Sequence, residues 1–348
     1  MRAFTIVGLT ALCATAIAAS LPDKITIKGK NIYPEDTVYD STRDMFYQSN
    51  LWRGKVSVWD NKKKDHFNVD IPGVTSDGNG DQQASGVSLS TTSNAKHFFI
   101  VAKNSAAFRF GPDQKNDGKC SYHAFSLPLT RDSKPKWSVY FDEVQKKFEK
   151  RQGNRPFGPV AAAQDNDGNS YVVFALGIPA VAKISRGGKE VSPWGYEDSN
   201  GSQRPGYTGV AFDPRANKIL AFGGPRPLTS YDVTDDWGRP TPVKINGNFG
   251  TLDGTEKLTL VPVDNRSVLV GARAPYAIAF HSDDDWKTAT IKKTKDDRLS
   301  DIGFTAVTYY SKGSQVGIYG GGAYFSDGAN GGRTSFPLYQ LDGSILDN

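Results

Sequence analysis

Thr208-Gly-Val-Ala-Phe212, Asp213-Pro-Arg-Ala-Asn217 and Lys218-Ile-Leu-Ala-Phe222 are two apolar runs joined by a polar turn, followed by Leu228-Thr-Ser-Tyr231 and Pro242-Val-Lys-Ile245. Short alternating runs around an Asp/Pro/Asn turn are the pattern of a β-hairpin, and the two further runs make a four-stranded sheet. The same unit returns at a period of about fifty residues, a propeller's repeat length rather than a solenoid's. Its other hairpin turns are Asp40-Ser-Thr-Arg43, Thr92-Ser-Asn94, Asp165-Asn-Asp-Gly-Asn169, Asp264-Asn-Arg266 and Ser311-Lys-Gly-Ser314, which brings the number of units to six. The fold class is therefore all-β, a six-bladed β-propeller with four-stranded blades.

The last unit offers only three strands, Phe304 to Tyr309, Gln315 to Tyr319 and Phe336 to Leu341. Ile25-Thr-Ile-Lys28 stands ahead of the first unit without a sheet of its own. An open ring would leave two bare sheet edges, which proteins avoid. The last blade is thus predicted to be closed by this N-terminal strand.

Arg2 precedes the apolar run Ala3 to Ala18, which ends in small residues at Ala18-Ala19-Ser20. This is the pattern of a secretory signal peptide, so residues 1–20 are expected to be a leader and 21–348 one propeller domain. Export would place the chain outside the cell, with the cell wall as a further location. Only Cys13 and Cys120 are present, and removal of the leader leaves Cys120 alone, so no intrachain disulfide is expected. No later run is long enough to span a bilayer. Asn200-Gly-Ser202 and Asn265-Arg-Ser267 fit the glycosylation sequon; Asn200, in a long polar loop, is the better candidate. Between the second and third units, Phe141, Val144 and Phe148 fall on one face of a short helix over 140–150.

The net charge of +5, or +4 without Arg2, is too small to imply a polyanionic partner by itself. The location of the basic residues says more. In a propeller the loops joining blades emerge on the same face as the loops between second and third strands. The first set contains Asn154-Arg155-Pro-Phe157 and Gln203-Arg204-Pro-Gly-Tyr207; the second contains Trp52-Arg53, Lys103-Asn104, Pro225-Arg226 and Ala272-Arg273-Ala-Pro-Tyr276. A basic residue recurs at an equivalent place in most blades. Arg53, Lys103, Arg155, Arg204, Arg226 and Arg273 are predicted to ring one mouth of the channel, with Tyr207 and Tyr276 as apolar wall. A guanidinium fork suits phosphate or carboxylate, so the expected ligand is an anionic amphiphile. The alternative is local pairing of these cations with acids such as Asp36, Asp253 or Glu256.

Six-bladed propellers also include calcium-dependent lactonases and esterases, whose metal is held by channel-lining carboxylates and amides. Glu35 sits where such an enzyme places its first carboxylate, but the other blades begin with Ser85-Gly-Val87, Phe157-Gly-Pro159, Tyr207-Thr-Gly209 and Phe304-Thr-Ala306. The cage is incomplete, and no cofactor is expected. His66, His97, His123 and His281 are scattered, Asp165 to Asn169 lacks the Glu of a calcium loop, and no nucleophile elbow, P-loop or His-Glu-x-x-His occurs. A non-enzymatic monomer without nucleic-acid partners is the reading these absences favour.

Pro34-Glu-Asp-Thr-Val-Tyr-Asp40, Arg155-Pro-Phe-Gly158, Gln203-Arg-Pro-Gly-Tyr207, Ala221-Phe-Gly-Gly-Pro-Arg226 and Val270-Gly-Ala-Arg-Ala-Pro-Tyr276 closely resemble the secreted propeller allergen family of Malassezia skin yeasts. A more distant resemblance is to the fungal trichothecene-cluster propeller protein. The resemblance implies a propeller exported to the yeast surface and medium, recognised by host IgE, with affinity for phosphoinositides at the channel mouth and no established catalytic activity. The positions it carries over for the ligand are Arg155, Arg204, Arg226 and Arg273.

Overall fold

The computed structural model describes residues 20–91, 95–106, 118–197, 205–224, 226–247, 252, 254–264 and 266–347. Residues 1–19 of the expected leader, Asn200, Arg204, Asp253 and Asn265 lie outside them. Six sheets, antiparallel but for one short outer strand, are arranged as the blades of a propeller. Blade one comprises Pro34–Asp40, Met45–Asn50, Lys55–Asp60 and Asp65–Asp70. Blade two follows with Gln82–Leu89, His97–Asn104, Ser121–Ser126 and Trp137–Tyr140. Blade three is Phe157–Gln164, Ser170–Leu176, Ala180–Ile184 and Val191–Tyr196. Its hairpin turn satisfies itself locally. The Asp165 carboxylate accepts from Asn169 N, Asn169 Nδ2 and the Tyr171 hydroxyl at 2.8 to 3.0 Å, so it serves the turn.

Blade four, Tyr207–Asp213, Lys218–Gly223, Arg226–Asp232 and Thr241–Pro242, departs from the sequence reading at its outer edge. The run Pro242 to Ile245 is divided. Thr241–Pro242 pairs within the blade, whereas Lys244–Asn246 runs parallel to Thr288–Thr290 of the next sheet. Proline has no N–H to continue a ladder, and the chain crosses to the neighbour there. Blade five therefore has five strands, with Glu256–Val263, Arg266–Arg273, Tyr276–His281 and Thr288–Lys295 completing it.

Blade six consists of Phe304–Lys312, Gln315–Gly322 and Ser335–Gln340, closed by Lys24–Lys28 antiparallel to the last. The predicted ring closure is present. Middle strands are buried on both faces because each sheet is packed between two others, as in Ser170–Leu176, where the first five residues are all buried. Aromatic and branched side chains fill the gaps between blades: Tyr47, Val58, Phe98 and Ile100 join blades one and two, and Tyr171, Trp194, Tyr207 and Tyr231 join three and four. The helix, α1 (Asp142–Gln152), buries Val144 and Phe148, with Phe141 at its N-cap. No helix among the described residues is long and apolar enough to cross a membrane.

Candidate functional site

The innermost strand of every blade slips register against its neighbour at the same place. The slips lie between Pro34 and Thr37, Ala84 and Val87, Pro159 and Ala161, Tyr207 and Gly209, Glu256 and Leu258, and Phe304 and Ala306. A β-bulge leaves its extra residue out of the ladder and re-aims that side chain. Here the extra residues are Glu35 and Asp36, Ser85 and Gly86, Val160, Thr208, Lys257 and Thr305. All of them line one cavity of about 750 Å³ at the channel mouth. Leu51, Ser105 and Phe325, from loops between second and third strands, and Asn104 and Leu176, at the ends of second strands, also line it, so it opens on the face the loop alignment selects. The bulge in blade five is strained: Lys257 has a φ of 30°, rarely adopted by residues other than glycine.

Two ion pairs dominate the floor. Lys103 Nζ is 2.7 Å from Glu35 Oε1, and the Ser85 hydroxyl lies 3.2 Å from the same oxygen and 3.1 Å from the Val160 carbonyl. These contacts tie blades one, two and three together. Lys257 reaches across the channel to both carboxylate oxygens of Asp36 and donates to the Val87 carbonyl at 3.2 Å. Asp36 also accepts from Val87 N at 2.8 Å and Thr37 N at 2.6 Å. Burial pushes its carboxyl up, while Lys257 and the two amides pull it back. Below this crossbar a second cavity of about 240 Å³ continues down the channel, lined by Val38, Leu89, Val210, Phe212 and Leu260.

Glu256 stands beside these pairs with no salt bridge of its own among the described residues. Burial and the neighbouring Glu35 push its carboxyl up to about 7 from an ordinary 4.5. The folded chain therefore holds this proton more tightly than the unfolded one, and folding stability is lost through this group as pH rises between those two values. The loss should be on the order of 2 kcal/mol, below the full shift because the side chain is not completely buried. Urea midpoints compared at pH 5 and pH 8 should show this slope in the wild type and its absence in Glu256→Gln; equal slopes would refute it.

Of the eight residues proposed from loop position, Lys103 lines the cavity. Arg155 turns toward α1, with Nη2 3.3 Å from Gln145 Oε1 and 3.9 Å from Asp142, and its guanidinium lies 5.8 Å from the Phe157 ring centre. Tyr207 is fully buried, its hydroxyl bonded to Glu197 at 3.0 Å and Tyr231 at 2.5 Å, so it forms no wall of the cavity. Arg53 donates to Asn330 Oδ1 at 2.9 Å. Arg226 is half exposed, 3.9 Å from Glu197, and Arg273 faces Tyr276 across the hairpin of blade five. Arg53, in a loop, and Arg226 and Arg273, at strand ends, thus stand on the mouth face without lining the cavity. Asp36, Gln83, Glu256 and Lys257 are the functional candidates that loop alignment overlooks. The visible signal for them is the recurrent start of each innermost strand.

Metal-binding chemistry is not assembled at this mouth. Glu35 and Asp36 each face an ammonium group, and no group of three His, Cys, Asp or Glu among the described residues could hold an ion. His123 has a structural role: it is bonded to Ser121 and Ser138 at 2.8 Å, and burial lowers it to about 4.

Fold and site together define a six-bladed propeller with a ligand-sized chamber at the channel mouth. Residues 13–323 match the model of the Mal s 1 allergenic protein-like family, and the chain belongs to that family. It is 56% identical over 350 residues to the major allergen Mal f 1 of Malassezia furfur, with both chains covered completely. The crystal structure of the major Malassezia sympodialis allergen Mala s 1 superposes with a TM-score of 0.91 at 57% identity, covering 94% of this chain and 98% of that one. A gluconolactonase from Xanthomonas campestris aligns over 91% of this chain and 89% of its own at a TM-score of 0.53 and 11% identity, a likeness of fold alone.

Proposed function

We propose that this is an exported, non-enzymatic binding protein that takes an anionic amphiphile, such as a phosphoinositide, at its channel mouth. Recognition by host IgE is proposed with it, from the allergen names of its relatives. The observation supporting the ligand class is a chamber of about 750 Å³ with apolar wall from Leu51, Val160, Leu176 and Phe325, opening on a face that carries arginines. That volume falls in the range of ligand pockets. Arg226 and Arg273, on the same face, meet the headgroup outside the chamber. A lactonase reading has less support, because ammonium groups face the carboxylates that would otherwise hold calcium.

Vesicle sedimentation tests the proposal. Wild type should bind vesicles containing phosphatidylinositol 4-phosphate and leave pure phosphatidylcholine. Arg204→Ala with Arg273→Ala should weaken binding about tenfold, the value of one charge-assisted hydrogen bond. Equal binding by wild type and this variant would reject the site.

A further inference from the structure

The lining of the chamber contains buried polar atoms that the fold leaves without partners. Gln83 is 0% exposed, yet neither its amide nitrogen nor its carbonyl oxygen bonds to any protein group. Thr305 Oγ1, Ser105 Oγ and Glu35 Oε2 are in the same condition, and all four residues line the chamber. They supply five of the thirteen such atoms among the described residues, gathered on one chamber. An unmet buried polar group costs about 1–3 kcal/mol, and a native fold retains one where a ligand or bound water completes it.

The kind of atom missing decides the ligand. Gln83 offers two N–H donors and one acceptor, Thr305 and Ser105 offer hydroxyls that do either, and Glu35 Oε2 accepts. Gln83 stands directly opposite Lys103 in the blade-two ladder, so its amide adjoins the Lys103–Glu35 pair. The ion pairs nearby are matched one to one, Lys103 with Glu35 and Lys257 with Asp36, and the remaining carboxyl, Glu256, is pushed up to about 7 by burial and by Glu35. An anion at the floor would meet two carboxylates, a cation would meet two ammonium groups, and an alkyl chain would leave the amide dry. A neutral group bearing several adjacent hydroxyls satisfies donors and acceptors together.

We infer that the floor of the chamber binds a neutral polyhydroxylated group, the hydroxyl cluster of a sugar ring or cyclic polyol, with Gln83 as its central contact. This rests on the reading of the chamber as a ligand site and names what its deepest part takes. Anionic recognition then belongs to the rim.

Saturation-transfer NMR with D-glucose and with myo-inositol, each titrated to about 50 mM against the full mature chain, tests it, with n-propanol as the single-hydroxyl control. At least one polyol should saturate and propanol should not. Gln83→Leu should weaken that polyol tenfold or more without lowering the melting temperature, since the amide it removes has no protein partner. Thr305→Val should weaken it severalfold, and this variant decides the question if Gln83→Leu fails to fold. No saturation by either polyol, unchanged binding in both variants, or lost binding together with a fall of several degrees in melting temperature would each overturn the inference. The phosphoinositide vesicle assay is run on the same variants. Polyol binding lost with vesicle binding kept is expected if rim and floor act separately, whereas vesicle binding without any polyol binding in the wild type sinks this inference alone.

Discussion

A chain beginning at Gly29 instead of Leu21 should fail to fold cooperatively. The segment it lacks makes five register pairs with the last strand, from Lys24 opposite Tyr339 to Lys28 opposite Ser335. Ile25 and Ile27 are 6% and 0% exposed and belong to the largest apolar cluster, with Phe336 and Leu338. Just ahead of the strand, the Tyr319 hydroxyl donates to the Pro22 carbonyl at 2.6 Å and Gln340 N to the Asp23 carbonyl at 2.8 Å. Removing two buried isoleucines alone costs about 2–5 kcal/mol each, against a total stability of roughly 5–15 kcal/mol for a folded protein. The bared edge of Ser335–Gln340 would also invite pairing with other molecules. Circular dichroism should show no sharp melt, light scattering should show aggregation, and a synthetic peptide covering 20–30 should restore part of the transition. A truncated chain melting within about 2 °C of the full one would show that the ring does not depend on this strand, since a single lost isoleucine should move the midpoint further.

The closing strand is legible in the sequence because counting is enough: three strands in the last unit and one unclaimed strand ahead of the first. The hairpins are legible because Asp, Asn and Gly at the turns carry their own geometry. The division of the run from Pro242 to Ile245 is not, since the partner of Lys244–Asn246 is a strand of the next blade. Loop register likewise tells which face a residue occupies and not where its side chain goes. Arg155 lies in a loop of the mouth face and spends its guanidinium on the helix beside it. Lys103 projects from a regular strand end, and its place in the cavity can be read. Lys257 and Asp36 are 221 residues apart and meet only because two bulges aim them across the channel. A bulge is a relation between two strands, so it has no signature in either one alone.

That crossbar yields the second large effect. Lys257→Met should destabilise the fold by about 3–5 kcal/mol at neutral pH, because Asp36, 3% exposed, keeps its two amide donors but loses its counter-charge. The cost should shrink toward pH 4. Without Lys257 the folded carboxyl rises further above its ordinary 3.8, so stability in the variant falls as pH climbs from that value and is recovered as Asp36 takes up a proton. Adding Asp36→Leu should restore part of that stability, since an apolar pair avoids the desolvation that the ions suffer, while the Val87 and Thr37 amides, left without their acceptor, cost about 1–3 kcal/mol each. Urea titrations of wild type, single and double variants at pH 4 and pH 7.5 form the test. A double variant as unstable as the single one would make the pair structural glue. Recovery in the double variant points elsewhere, to the one thing the pair alone provides: a charged floor dividing the 750 Å³ chamber from the 240 Å³ cavity beneath it. With that floor made apolar the two spaces become continuous, and the double variant should gain affinity for longer alkyl chains, measured with a series of alkyl alcohols, that the wild type does not show.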